Sequence, residues 1–229
     1  MKVLGVITAR GGSKRLPNKN TAMLGGKPLI AWSIDVGKKV CDHLVLSTDS
    51  EFISGVAQQH DCDVIMRPPE LRGDADHVSV VIHAAEITAR EKGDFNAVML
   101  LQPTSPFRTE DDCRKAKQVM IDTSADSVIS VIEFPQQDTL FTLGHANRMR
   151  SASERDMVYT PNGAIYLIKW DHLLENGDWY DPHAYAYVMP PERSLDIDTH
   201  ADFEAARAML DDEGRFDPRA IVKKMTAPA

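Results

Sequence analysis

The chain opens with a short apolar run that passes directly into a loop of glycines and cations; residues 3–20 read VLGVITARGGSKRLPNKN. The run Val3–Ile7 is rich in β-branched residues, and glycines follow it within a few positions. A short apolar run of this kind is typical of a buried strand in a parallel sheet. We therefore predict that residues 3–7 form an interior strand and that the loop after it lies at the strand's carboxyl end.

This loop holds two glycines and four cations within eleven residues. Glycines let backbone N–H groups turn toward a ligand, and Lys and Arg supply positive charge, so the combination suits a polyphosphate. The loop is not a Walker A sequence, and it lacks the Gly-x-Gly-x-x-Gly of dinucleotide-binding folds. An ordinary strand-to-helix connection with solvated charges is the alternative. The four cations are Arg10, Lys14, Arg15 and Lys19.

Length and composition set the broad class. At 229 residues the chain fits one large domain, or one domain with an insertion. It is 43% apolar and 26% charged, as globular proteins are, and its net charge of −8 argues against general nucleic-acid binding. No apolar run of about 18 residues predicts a membrane span, and the lack of a signal-peptide pattern favours a cytoplasmic location. The three cysteines lack metal spacing, so we expect buried or incidental thiols.

Apolar strand candidates alternate with amphipathic helix candidates. This alternation predicts an α/β fold with an open, mostly parallel sheet covered on both faces, and ligands of such sheets bind beyond the carboxyl ends of the strands. Thr109 and Thr199 are expected to cap the helices that follow them. The candidate strands are Val3–Ile7, His43–Thr48, Val64–Met66, Ala97–Leu101, Ser127–Ile132, Ala164–Ile168 and Tyr185–Met189, and the candidate helices are Leu29–Lys39, Glu51–His60, Val78–Lys92, Glu110–Ile121 and Ala201–Asp211.

The region 134–161 interrupts this pattern, because it is polar and has little periodicity. A connection of this length inside a compact domain is usually functional or interfacial. We therefore expect residues 1–133 and 162–215 to form the α/β domain, residues 134–161 to form an inserted arm for dimerisation, and residues 216–229 to form a frayed tail. A mobile surface loop is the alternative for the arm.

Two carboxylates, Asp196 and Asp198, precede the last predicted helix. Residues two apart in an extended segment point to the same side, here with the apolar Ile197 facing the core. Two carboxylates on one side make a magnesium site when a substrate supplies phosphate oxygens. Capping of the last helix by these acids is the alternative.

The segment 102–108, QPTSPFR, closes the fourth predicted strand. Its prolines exclude a helix, so Gln102, Thr104, Ser105 and Arg108 are offered at the strand's carboxyl end. A capped turn before the next helix explains neither Gln102 nor Arg108, which favours ligand contact.

Three further polar positions accompany predicted strands. Asp49 is expected to cap the next helix. Arg67 is either an anion contact or a surface arginine. Asn162 and Gly163 precede an apolar strand, where they predict a tight turn.

In combination these motifs resemble the N-acylneuraminate cytidylyltransferases, also called CMP-sialic acid synthetases. The resemblance runs from about residue 3 to about residue 210 and rests on six motifs in a fixed order. They are ARGGSK…KN at 9–20, STD at 47–49, RP…L at 67–71, LQPTSP at 101–106, NGAIY at 162–166 and SLDIDT at 194–199.

The resemblance implies a Rossmann-like nucleotidyltransferase fold with a small dimerisation arm, as a homodimer or a dimer of dimers. It also implies a reaction in which CTP and an acidic nine-carbon 2-keto sugar give the CMP-sugar and pyrophosphate. Magnesium, with manganese as a second candidate, would be the cofactor. The implied residues are Arg10, Gly11, Ser13, Lys14, Asn20 and Arg67 for the nucleotide, Lys19, Arg10 and Asp198 for catalysis, Gln102, Thr104, Ser105 and Asn162 for the sugar, and Asp196 and Asp198 for the metal.

The sequence departs from the family pattern at two places. Residues 134–140 carry no cation where many relatives place a Lys, and His77-Val78-Ser79 stands where a Ser or Thr is common. Neuraminate, legionaminate and pseudaminate therefore all stay open as substrates. The sequence offers no persuasive general base, and a metal-lowered pKa of the attacking hydroxyl would remove the need for one. A 3-deoxy-manno-octulosonate cytidylyltransferase and a non-catalytic nucleotide-binding protein are the competing interpretations.

Overall fold

The computed structural model describes residues 1–134, 141–143, 149–151, 158–180 and 184–220. The strands are β1 Val3–Ala9, β2 Met23–Leu24, β3 Lys27–Pro28, β4 His43–Thr48, β5 Asp63–Met66, β6 Ala97–Leu100, β7 Ser127–Phe134, β8 Phe141–Leu143, β9 Met149–Ser151, β10 Val158–Lys169 and β11 Tyr185–Val188. The helices are α1 Leu29–Val40, α2 Glu51–Gln59, α3 His77–Lys92, α4 Glu110–Thr123, α5 Trp170–Asn176 and α6 His200–Ala208.

The described strands include a seven-stranded sheet with the order β11-β7-β10-β6-β1-β4-β5. Strand β1 pairs in parallel with β4 and β6, β4 with β5, and β7 with β11. Strand β10 runs antiparallel to both of its neighbours, β6 and β7. The predicted mostly parallel α/β sheet is confirmed, with β10 as the reversed strand.

Both faces of the sheet are covered, because successive residues of β1 enter different cores. Val3 and Ile7 pack in a cluster with residues of α1, α2 and α4, whereas Leu4 and Val6 pack in a second cluster with residues of α3 and α5. Alternation of side chains across a strand explains this division. A parallel strand buried on both faces is apolar throughout, as the opening run of the sequence indicated.

Two capping boxes fix the helix starts that border the carboxyl edge of the sheet. At α4, Thr109 and Asp112 exchange side-chain-to-backbone bonds, and at α6 Thr199 and Asp202 do the same. Both predicted threonine caps are confirmed. Each such cap stabilises a helix start by about 1 kcal/mol, because it satisfies N–H groups that have no partner inside the helix.

A third apolar cluster closes the carboxyl edge and extends past residue 215. The rings of Phe107 and Phe216 stack with centroids 4.4 Å apart, and Ala220 is buried. Residues 216–220, which we assigned to the tail, are therefore packed against the domain. Residues 221–229 of the predicted tail lie outside the described residues.

The region 134–161 contains more regular structure than its sequence pattern suggested. Strand β10 begins at Val158 and pairs with the end of β7, so residues 158–161 belong to the sheet rather than to the arm. Strands β8 and β9 form a separate antiparallel pair. The rest of the predicted arm, residues 135–140, 144–148 and 152–157, lies outside the described residues. None of the helices described is long and apolar enough to cross a membrane.

Candidate functional site

A cleft of about 290 Å³ lies beyond the carboxyl ends of β1, β5 and β6. It brings together six of the residues that the sequence singled out, from three separate segments of the chain. Loops at this edge face one another because the strands that carry them are parallel. The six are Arg10, Lys19, Asn20, Arg67, Gln102 and Thr104.

The first wall of the cleft is the cation loop, residues 10–20. Two of its cations, Arg10 and Lys14, bond to the two carboxylate oxygens of Asp74, with a Lys14 Nζ–Asp74 Oδ2 distance of 2.9 Å. Lys14 and Asp74 are largely exposed, with 79% and 63% of their side chains accessible. Exposed pairs of this kind contribute about 0–1 kcal/mol, so a stronger anion can displace the carboxylate.

Asp49 joins the cation loop to the segment that carries Asp74. Its carboxylate accepts the backbone N–H of Gly11 at 2.7 Å and that of Gly73 at 3.0 Å. Burial raises the pKa of Asp49, but these two bonds and the nearby Arg67 outweigh burial and hold the pKa below its usual range. The predicted helix cap was wrong, because Ser50 caps α2 by accepting the N–H of Ile53.

Ser13 lies on the same loop, on the far side of the glycines from the strand. Its N–H donates to the carbonyl of Gly11 at 3.2 Å, and the side chain is partly exposed. The predicted contacts of Gly11 and Ser13 with a nucleotide stay predictions.

Arg67 is buried, with 5% of its surface accessible, so the surface-arginine alternative was wrong. Its Nε donates to Ser47 Oγ at 3.1 Å and its Nη2 to the Ser47 carbonyl at 3.0 Å. Burial lowers the pKa of the guanidinium, and Asp49 opposes that effect. The side chain therefore presents a fixed positive charge at the floor of the cleft.

Lys19 connects the cation loop to the acid pair, Asp196 and Asp198. Its Nζ donates to Asp198 Oδ1 at 2.9 Å and to the Ile197 carbonyl at 2.8 Å. Arg15 Nη1 donates to the second oxygen of Asp198 at 3.1 Å. The bond from Lys19 lowers the pKa of Asp198.

Asn20 fastens the end of the loop to its beginning. The residue is buried, and its Nδ2 donates to the carbonyl of Arg10 at 3.0 Å. The loop therefore closes on itself, which holds Arg10 and Lys19 at the same cleft.

The acid pair lies where the sequence predicted, beside a fully buried Ile197. The N–H of Ile197 donates to the Thr104 carbonyl at 2.8 Å, which fixes the segment against the loop that follows β6. Burial raises the pKa of Asp196, and the nearby Asp198 carboxylate raises it further. Neither acid caps α6, because Thr199 does so.

Beside the cleft lies the bulge in β10, residues 162–165, where the pairing register with β7 shifts. Gly163 has a φ of +75°, which favours glycine, and a Cβ there would lie 3.5 Å from Gln102 Oε1 and 3.8 Å from Asp196 Cγ. The predicted tight turn was therefore wrong: Asn162 and Gly163 lie within the strand. The bulge leaves Gln102 and Asp196 facing one space.

Buried hydrogen bonds hold this bulge. Asn162 Oδ1 accepts from Ser130 Oγ at 2.6 Å, and Asn162 Nδ2 donates to Ser194 Oγ at 2.9 Å. Ser105 Oγ donates to the Asn162 carbonyl at 3.3 Å. Ser105 and Asn162 are both buried and bonded to protein, so they hold the bulge in place.

Arg108 is also buried in the protein and does not line the cleft. Its guanidinium donates to Ser33 Oγ at 2.7 Å and to the Gln102 carbonyl. The favoured ligand contact for Arg108 was therefore wrong. Its bond fixes the backbone that carries Gln102, and Thr104 Oγ1 lies 3.5 Å from Gln102 Oε1.

A second cavity of about 360 Å³ adjoins the first. Tyr166, Trp179 and Tyr180 supply an aromatic lining, and His77 and Gln102 line both cavities. Aromatic side chains and a few polar groups are typical of a pocket for an organic ligand.

Sequence reasoning missed Thr8, Asp74 and His77 as lining residues of the cleft. Thr8 Oγ1 lies 2.6 Å from His77 Nε2. The available signal was position, since Asp74 lies between a strand and a helix at the predicted ligand-binding edge and His77 begins that helix. The polar run at 72–77 could therefore have been predicted to contact a ligand on the same grounds as the segment 102–108.

Comparisons with known proteins agree with this architecture. A family model described as cytidylyltransferase matches residues 4–217. An N-acylneuraminate cytidylyltransferase of Escherichia coli O18:K1:H7 is 33% identical over 221 residues, which is 90% of this chain and 51% of that protein. A CMP-N,N'-diacetyllegionaminic acid synthase of Legionella pneumophila is 33% identical over 226 residues, covering 92% of this chain and 97% of that protein. The chain thus spans about half the length of the first relative and nearly all of the second.

A solved structure shows the same fold. The CMP:2-keto-3-deoxy-manno-octonic acid synthetase complexed with CTP superposes with a TM-score of 0.67, covering 91% of this chain and 98% of that one at 18% identity. Because the family model matches residues 4–217, which is nearly the whole chain, the chain belongs to the cytidylyltransferase family.

Proposed function

We propose that this chain transfers CMP from CTP to the anomeric hydroxyl of an acidic nine-carbon 2-keto sugar and releases pyrophosphate. The observation that carries the proposal is the contact of Lys19 with the acid pair at the mouth of the cleft. This bond links the cationic loop to the acid pair, and Asp196 of that pair faces the same space as Gln102. Relatives named for sialic and legionaminic acids supply the class of sugar.

The cation loop and Arg67 are the proposed nucleotide site. Arg10 and Lys14 would hold the β- and γ-phosphates in place of Asp74, and Lys19 would contact the α-phosphate. Charge that develops on phosphate oxygens is stabilised most by cations already held in position. Gly11, Ser13 and Asn20 complete the proposed set, the first two through the loop backbone.

The acid pair fits a magnesium ion, with manganese as the second candidate. Magnesium in phosphate chemistry is held by one or two carboxylates together with substrate oxygens. Among the described residues no group of three or more His, Cys, Asp and Glu side chains could hold a metal without such oxygens. Asp196 and Asp198 would hold the ion, which would supply positive charge to the α-phosphate.

The second cavity is the proposed sugar site. Gln102 lines both cavities and Thr104 lines the first, next to Gln102, so both are proposed to bond to the sugar acid. Ser105 and Asn162 contribute by holding the bulge, since their side chains bond within the protein.

The chain is proposed to act as a homodimer or as a dimer of dimers. Strand β11 is an edge of the sheet, and Tyr185 and Val188 on it are exposed. Exposed apolar residues on an edge strand favour pairing with another chain. Light scattering during size-exclusion chromatography measures the state, and a monomer at micromolar concentration would contradict the proposal.

The proposed reaction is tested by pyrophosphate release with CTP and magnesium, in parallel with neuraminate, legionaminate, pseudaminate and 3-deoxy-manno-octulosonate. We expect release with one nine-carbon sugar, and with CTP in preference to ATP, GTP and UTP. Release with the octulosonate alone would favour the competing cytidylyltransferase. Binding of CTP without release from any sugar would favour a non-catalytic role.

A further inference from the structure

His77 occupies the junction between the two cavities. Among the described residues, His77 and Gln102 are the two that line both spaces. His77 is the first residue of α3, and the helix begins at the Asp76 cap directly beside the cleft. If the nucleotide lies in the first cavity and the sugar in the second, the α-phosphate and the attacking hydroxyl meet at this junction.

The hydroxyl must lose a proton as it attacks, and the junction offers few acceptors. The amide of Gln102 is a poor base, whereas a neutral imidazole accepts a proton readily near pH 7. We propose that His77 is the general base that removes the proton from the anomeric hydroxyl of the sugar. This inference rests on the proposed function and goes beyond it by naming the proton acceptor.

The carboxylates that line the two cavities are weaker bases than an imidazole. Asp74 bonds to Arg10 and Lys14 in the free chain, and once phosphates take these cations it is an exposed carboxylate in water. Asp76 accepts from both the N–H and the hydroxyl of Ser79 at 2.8 Å, and Asp178 accepts the N–H of Tyr180 at 2.9 Å. Asp196, which faces the same space as Gln102, is a proposed metal ligand, so among the described residues at the junction His77 is the one that takes a proton readily near pH 7.

Thr8 orients the imidazole. Thr8 is buried on β1, and its Oγ1 lies 2.6 Å from Nε2 of His77. In the proposed state Nε2–H donates to Thr8, which leaves the lone pair of Nδ1 for the incoming proton. A fixed bond at one ring nitrogen selects the tautomer in this way at many catalytic histidines.

The charges around His77 favour its neutral form. Burial within the cleft lowers the pKa of His77, Arg67 lowers it further, and Asp76 on the same helix opposes both. Arg10, Lys19 and Asp74 also line the first cavity. A lowered pKa keeps the imidazole neutral at pH 7, so activity should fall as acid protonates it.

The anomeric oxygen forms a bond to the α-phosphorus while the bond between that phosphorus and the bridging oxygen of pyrophosphate breaks. The pyrophosphate leaves with the bonding electron pair, and the proton of the sugar hydroxyl moves to Nδ1 of His77. Solvent then takes this proton and restores the neutral imidazole.

The test compares pH profiles of pyrophosphate release for the wild-type chain, His77→Gln and His60→Gln. His60 ends α2 away from both cavities, so it controls for loss of a histidine. We expect kcat of His77→Gln to fall about 10²- to 10³-fold and its acidic limb to disappear, with KM for CTP within about threefold. Added imidazole should restore part of the activity of His77→Ala.

An active His77→Gln enzyme with an unchanged acidic limb overturns the inference, as does a slower enzyme that keeps that limb. Thr8→Val supplies a second route, because it removes the orienting bond with little change in shape. We expect its kcat to fall about tenfold and its acidic limb to shift, and an unchanged profile contradicts the role of His77 even if His77→Gln fails to fold. A silent wild-type enzyme overturns the proposed function itself.

Discussion

The cation loop lines the cleft and the bulge lies beside Gln102 at its edge, yet the two are held by different forces. Exposed ion pairs to Asp74 and Asp198 hold the side chains of the loop. Buried hydrogen bonds around Asn162 hold the bulge. Exposed pairs contribute little and exchange easily, whereas a buried polar network is costly to break. The side chains of the loop can therefore rearrange around a ligand, whereas the bulge keeps its position.

The largest effect is expected from the end of the loop, at Asp198. Asp198→Asn should lower the rate of pyrophosphate release about 10³-fold or more, equivalent to about 4 kcal/mol of barrier, because it removes a proposed metal ligand and the partner of Lys19. Because 45% of the Asp198 side chain is exposed, the melting temperature should stay close to that of the wild type. Pyrophosphate release and circular dichroism measure the two quantities.

Glu204→Gln is the matched control for this variant, since Glu204 is an exposed acid on α6 that pairs only within its helix among the described contacts. We expect the control to retain full activity. Near-normal turnover of Asp198→Asn would remove both the metal assignment and the claim that this end of the loop is functional.

The next largest effect is expected in the bulge, where a substitution should lower the stability of the fold. Asn162→Ala leaves the N–H of Ala164 without an acceptor in a buried site, and it removes one of the two acceptors of Ser130 Oγ, which keeps the Ile165 carbonyl. The free energy of unfolding should drop by about 2–3 kcal/mol. Urea denaturation measures the loss, and Asn176→Ala, at an exposed position of α5, is the control. A loss below that of the control would show that the network does not hold the bulge.

A smaller effect is expected where Asp49 ties the loop to the segment 72–77. Asp49→Asn should lower the unfolding free energy by about 1–2 kcal/mol at pH 7, because the charged acceptor of two N–H groups is lost. The pKa of Asp49 is lowered in the folded state, so its contribution is present above the unfolded value of about 3.9 and is lost as pH falls through the folded value.

Urea titrations between pH 7 and pH 2 test this dependence. The difference between the wild type and Asp49→Asn should shrink toward the acidic end. Asp61→Asn is the control, because 95% of the Asp61 side chain is exposed. A difference that stays constant with pH would show that the charge of Asp49 does not stabilise the loop.

The smallest change in stability is expected at Asp74, where a substitution should instead strengthen the binding of CTP. Asp74→Asn should change the unfolding free energy by less than about 0.5 kcal/mol. It should tighten CTP binding by about threefold to tenfold, because the carboxylate no longer competes for Arg10 and Lys14. Calorimetric titration at low and high salt measures this gain, which should shrink at high salt.

The control is Asp111→Asn, which breaks an exposed pair with Lys115 on α4. It should leave the affinity for CTP unchanged. Weaker CTP binding by Asp74→Asn would mean that Asp74 organises the nucleotide site instead of occupying it.

Much of the loop's location could be predicted from sequence, because local signals carry it. The apolar run at Val3–Ile7 predicted the strand, the threonine caps predicted two helix starts, and parallel strand order brought Arg10, Arg67 and Gln102 to one cleft. These inferences depend on periodicity and on residues adjacent in the chain.

The errors lie where a partner is distant in sequence. Asp49 accepts N–H groups from Gly11 and Gly73, and Asn162 bonds to Ser130, 32 positions away. No local pattern indicates such partners, so the sequence predicted a helix cap at Asp49 and a turn at Asn162. The reversed direction of β10 was missed for the same reason, since strand polarity depends on how a chain returns to the sheet.

The claim that the loop adapts while the bulge stays fixed is tested most directly by hydrogen–deuterium exchange with and without CTP and magnesium. We predict slower exchange in residues 10–20 and 72–77 on addition of CTP, and no change in residues 162–166, with ATP as the control nucleotide. Protection confined to residues 162–166, or equal protection by ATP, would contradict the account.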